Sequence, residues 1–114
     1  MRRDLDDEQW QETKRKVHQI DCETCCCCKV LSPGEIFAFG KTRMMGGSTK
    51  QLDCAHRHPV STHADEAYDV NNVFLLCREH HYRIDHFLNP VTGEFIEDEE
   101  HEKWWDRIAR SRRM

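Results

Sequence analysis

Residues 52–85 read LDCAHRHPVSTHADEAYDVNNVFLLCREHHYRID, and the reading of this stretch decides the fold. Gln51 to His56 is a strand candidate with histidine at its end. Pro59 to Asp69 is polar loop carrying His63, and Val73 to Leu76 is a short apolar run. Arg78 to Phe87 has the composition of a helix, and Asn89-Pro90 ends it because a residue before proline is pushed out of the helical region. His81 and Asp85 are four apart on that helix and therefore share one face. An imidazole and a carboxylate so placed can hold a single divalent ion.

Cys77-Arg78-Glu79-His80, at the start of that helix, is a C-x2-H pair. Upstream, four consecutive thiols, Cys25 to Cys28, supply a C-x2-C pair. Two such knuckles put four ligands around one tetrahedral Zn²⁺, because a tight turn lets both side chains of a pair face one ion. The expected ligands are Cys25, Cys28, Cys77 and His80; Cys22 and Cys25 have the same spacing and are the alternative register. Four adjacent cysteines in a polar context do not read as buried small hydrophobes, and no βαβ pattern accompanies the pair as a redox motif requires. Seven cysteines is an odd count, the start lacks an apolar signal segment, and eight histidines accompany them, so zinc is preferred to a disulfide scaffold in a reducing cytoplasm.

Around this centre the chain has room for one small domain: 114 residues bury a modest core, which a metal can reinforce. Residues 4–20 read as an N-terminal helix, acidic first (Asp4, Asp6, Asp7, Glu8) and basic later (Lys14, Arg15, Lys16), an order that complements the helix dipole. Residues 21–29 read as a thiol-rich turn, Glu35 to Phe39 as a short strand, and Gly40 to Lys50 as a flexible basic loop. Residues 97–112 read as a final helix with Trp104, Trp105 and Ile108 for docking. The expected class is α+β, one domain over 1–114 with a core at about 21–90. No apolar run approaches the roughly 20 residues of a membrane span. The net charge of −4 excludes a net-basic nucleic-acid coat.

Taken in order, Ala55-His56, Pro59, Asn72, the Cys77–His80 knuckle, His81 and Asp85 resemble the HNH endonucleases, the ββα-metal nucleases. The Thr24-Cys25-x-x-Cys28 start is similar to the family's first zinc knuckle, and His80 stands where its fourth cysteine usually is. The resemblance implies a ββα-metal, treble-clef-like core with one structural zinc, and hydrolysis of DNA phosphodiester bonds with Mg²⁺, Mn²⁺ or another divalent ion. It implies His56 as general base, His81 and Asp85 toward the catalytic metal, and Asn72 as an orienting residue or ligand. The chemistry agrees: such hydrolysis needs a base for water and a cation for the leaving oxygen, and an imidazole titrates ordinarily near about pH 6.5.

One residue departs from the pattern. Ala55 stands where the family often has a metal-ligating Asp or His. Asp53 or His58 are the substitutes, and His56 as ligand with His58 as base is the other arrangement. His63 and His86 read as a surface and a packing residue. DNA contact is expected from Lys41, Arg43 and Lys50 in the basic loop and from Arg78 and Arg83 on the metal helix. Residues 25–90 carry seven basic and seven acidic residues, so attraction to phosphate falls to local placement, to the bound ion and to the arginine tail, with the acidic stretches outside the site. The resemblance further implies a bacterial or phage-infected cytoplasm, and a homodimer or a phage or restriction complex where both strands are cut. Two other readings stand beside the nuclease: an impaired HNH-like zinc module that binds nucleic acid or a partner protein, and a different zinc protein whose histidines hold a second structural metal.

Overall fold

The computed structural model describes residues 7–44 and 51–113. Helix α1 spans Asp7–Ile20, and its Trp10, Thr13 and Val17, three and four apart, form the stripe that docks. Cys22 and Glu23 then take positive φ of 55° and 54°, reversing the chain into a one-turn helix α2, Cys26–Val30. The segment expected as a thiol-rich turn is thus a turn followed by helix.

The expected strand at Glu35 to Phe39 is helix α3, Pro33–Thr42. Ser32 and Glu35 form a capping box: the Glu35 amide donates to Ser32 Oγ at 3.2 Å, and the Ser32 amide donates to Glu35 Oε1 at 2.8 Å. Pro33 follows the cap where a missing N–H costs nothing. This start signal outweighs the strand preference of Ile36, Phe37 and Phe39. Gly40 to Thr42 belong to the same helix rather than to a loop, and Lys50 lies outside the described residues.

Strand β1, Leu52–His56, pairs antiparallel with β2, Val73–Cys77, from Leu52 opposite Cys77 to His56 opposite Val73. The connection over 57–72 contains 3-10 turns at Ala64–Glu66 and Val70–Asn72. Helix α4, Arg78–Asp85, follows β2 directly, with Cys77 as its N-cap. Helix α5, Asp98–Ala109, ends in a 3-10 turn at Arg110–Arg113. The architecture is mixed α+β, with strand, strand and helix consecutive. No helix among the described residues is long and apolar enough to cross a membrane.

All five residues of β2 are buried, because both of its faces are covered. Phe74 and Leu76 join the main core with Phe39, Ile84, Ile96, Trp104, Trp105 and Ile108, while Val73 and Leu75 meet Val17 of α1. The edge of β2 is closed by side chains. The Leu75 amide donates to Asp21 at 3.0 Å, and Arg112 donates to Asp21 Oδ1 at 2.7 Å and to the Val70 carbonyl at 2.6 Å. The arginine tail expected to attract phosphate therefore spends Arg112 on the fold, its guanidinium lying over Phe74.

Candidate metal centre

Both knuckles sit at helix starts. Cys25 caps α2, accepting the Cys28 amide on its sulfur at 3.3 Å, while Cys77 caps α4 and His80 lies in that helix's first turn. Packing α2 against β2 and α4 brings all four side chains together. His80 Nδ1 lies 3.6 Å from Cys25 Sγ, 3.5 Å from Cys28 Sγ and 3.4 Å from Cys77 Sγ. With Zn–S about 2.3 Å and Zn–N about 2.0–2.1 Å, a tetrahedron has an S···N edge of about 3.6 Å, so these three distances fit a bound zinc. The donors all lie within 4.8 Å of one another. The four residues expected from the x2 spacing form a Cys3His group that can hold a metal ion such as zinc. Cys22 is exposed at the turn after α1, outside this group.

The surroundings fit the same use. His80 is fully buried, stacks on Phe39 with ring centroids 4.0 Å apart, and donates from Nε2 to the Pro90 carbonyl at 3.2 Å. That bond leaves the lone pair on Nδ1, the nitrogen that faces the thiols. Mutual contact splits the thiol acidities. Cys25 is lowered by its hydrogen bond with Cys28, but contact with Cys77 and burial prevail and it is pushed up to about 12. Contacts with Cys25 and Cys77, then burial, push Cys28 up, while hydrogen bonds from Cys25 and Cys28 hold Cys77 down. A divalent ion among them would favour the ionised form of all three thiols. Cys26 and Cys27 join the core with α5, and burial raises both, Cys26 to about 12.

His56, half-buried at the end of β1, stacks on Trp10 with centroids 5.0 Å apart and donates from Nε2 to the Ala67 carbonyl at 2.9 Å. Its Nδ1 keeps the lone pair. His56 and Asp85 line one cavity of about 90 Å³ with Arg57 and His101. His81 lies between two carboxylates, Nδ1 3.1 Å from Asp53 and Nε2 3.1 Å from Asp85. The Asp85 hydrogen bond is the main cause that raises its pKa, with Asp53 adding to it against burial. Asp53 and Asp85 thus occupy opposite edges of one ring. Ala55 is buried in the core and supplies no donor.

Asn72 is buried and its amide is fully engaged. It accepts the His58 amide at 2.8 Å and donates to the carbonyls of His58 and Glu66 at 3.1 and 3.3 Å, so it clamps the loop. Arg83 requires a correction as a DNA-contacting residue. Only 2% of its side chain is exposed, and it donates to Glu79 at 3.1 Å, Pro90 O at 2.9 Å and Thr42 O at 2.7 Å. Arg78 and Lys41 are exposed, the first 3.6 Å from Asp53 and the second over the Phe37 ring; Arg43 is half-buried against Phe39. The acidic stretch Glu97–Glu102 is not wholly remote from His56, because its last residue, Glu102, pairs with Arg57, as does Asp106 one turn further on. Sequence reasoning also passed over Lys14, Arg15 and His18, which line a groove of about 740 Å³ with Asp53 and His81. Their helical spacing was the available signal. No protein-family model matches the chain, and no curated protein or solved structure matches it.

Proposed function

We propose that this protein is a metal-dependent DNA endonuclease of the HNH type, with a ββα-metal core stapled by one zinc at Cys25, Cys28, Cys77 and His80. The observation that carries the reading is the cavity shared by His56 and Asp85, with the lone pair of His56 on Nδ1. On this reading His56 Nδ1 accepts a proton from the attacking water. The Ala67 carbonyl fixes the tautomer, and Trp10 fixes the ring plane. His81 and Asp85, now joined by a 3.1 Å contact, would hold Mg²⁺ or Mn²⁺ in place of that contact, and the ion would supply charge neutralisation at the scissile phosphate and leaving oxygen. Asn72 acts by position, holding the loop that carries the Ala67 carbonyl. Lys14 and Arg15 offer cations to the DNA backbone along the groove that Asp53 and His81 also line.

A second reading is favoured by one observation: Ala55 is core, and Asp53 is already paired with His81 and Arg78. It makes the protein an impaired HNH-like zinc module that binds nucleic acid or a partner protein. Nicking of supercoiled plasmid by wild type, His56→Ala and His58→Ala separates the two. The nuclease reading predicts nicking that His58→Ala keeps and His56→Ala loses. A folded, zinc-loaded wild type without cleavage supports the second reading. Nicking that survives in His56→Ala removes the base role from His56.

A further inference from the structure

The loop between the strands holds a group of donors that the proposed chemistry does not use. His58, His63 and Glu66 each place one donor atom within 4.8 Å of the other two, and all three are half-buried. His58 Nδ1 is 2.8 Å from Glu66 Oε1, and the rings of His58 and His63 stack at 4.9 Å and 26°. His63 Nδ1 is 2.8 Å from Thr62 Oγ1, whose own hydroxyl donates to Pro59 O at 3.3 Å. The threonine oxygen therefore accepts from Nδ1–H, and His63 Nε2 keeps its lone pair.

The backbone under these side chains is built. The Asn72 amide ties His58 N, His58 O and Glu66 O together. The His63 amide donates to Pro59 O at 2.8 Å and the Glu66 amide to His63 O at 3.0 Å, which sets His63 and Glu66 one 3-10 turn apart. Two imidazoles and one carboxylate, with a hydroxyl orienting one ring, are the ligand set of a three-ligand zinc site with open positions. Imidazole favours zinc and its transition-metal neighbours over Mg²⁺ or Ca²⁺.

We propose that His58, His63 and Glu66 form a second transition-metal site that takes Zn²⁺, with water in the open positions and no thiolate ligand. The inference goes beyond the nuclease reading and is independent of it. Glu66 is followed by Ala67, whose carbonyl holds His56, so an ion here also stiffens the support of that ring.

The test is metal stoichiometry with no DNA present. Purified wild type, His63→Ala and Glu66→Gln are dialysed against graded zinc and their metal content is measured. Protein carrying one zinc equivalent is also titrated with Co²⁺ and followed by visible absorption. The expected result is two zinc ions in wild type and one in each variant at the same free zinc, with circular dichroism unchanged. Co²⁺ added to wild type should give ligand-field bands without thiolate charge transfer, and the variants should lose them. A wild type that stops at one equivalent overturns the proposal. So does a second equivalent bound equally well by both variants, since it would lie elsewhere.

Discussion

Arg83→Met tests whether this arginine serves the fold or a phosphate. The guanidinium and the Glu79 carboxylate are 2% and 5% exposed and 3.1 Å apart. Removing one partner leaves the other charge buried, which costs about 3–5 kcal/mol. The Thr42 carbonyl also loses its arginine donor, and the Pro90 carbonyl loses one of its two, keeping His80. For a chain of 114 residues, 1 kcal/mol corresponds to about 4 °C in Tm. The variant should melt about 12–20 °C lower than wild type by circular dichroism, both with zinc and a reductant present. Adding Glu79→Gln neutralises the carboxylate that faced the guanidinium and should restore at least about 1 kcal/mol as coupling. A variant within about 1 kcal/mol of wild type would refute this reasoning, because the guanidinium would then be solvated and available to DNA.

Two further outcomes are expected. Cys28→Ser should lower zinc content at the thiolate site and destabilise the fold, whereas Cys22→Ser should change neither; equal loss in both would move the register, and metal analysis with thermal melting decides it. Glu35 is held down to about 2, chiefly by its hydrogen bond to Arg107. A carboxylate depressed on folding stabilises above its ordinary pKa of about 4.5 and loses that stability as pH falls toward about 2. Partial exposure trims the effect to about 1–2 kcal/mol, so Glu35→Gln should flatten stability against pH in that window, and an unchanged slope in urea titrations would count against the pair.

The Cys3His group that can hold a metal ion was legible because x2 spacing is a local property of two turns. The ββα order was legible as well, since β2 is one unbroken apolar run between polar segments. Glu35 to Phe39 was misread from its apolar residues, although Ser32-Pro33-x-Glu35 was already a helix start. Arg83 was misread for a different reason. The many polar residues of α4 (Arg78, Glu79, His80, His81, Asp85) make it look solvated, and the burial of Arg83 comes from α3 and the segment around Pro90, neither of which spacing relates to it. Arg57 with Glu102 and Asp106, and Arg112 with Asp21, are likewise pairs made by the tertiary fold. Asp53 beside His81 follows from strand register, which places it next to α4.

The measurement that bears most directly on the central claim is cleavage by zinc-loaded wild type as a function of added Mg²⁺ or Mn²⁺. Supercoiled plasmid at low salt, with end-group analysis of the product, is the assay. The account predicts nicked circles that require the added ion, disappear with EDTA and carry 3′-hydroxyl and 5′-phosphate ends. Plasmid left intact with every ion, by protein that is folded and holds its zinc, would contradict it.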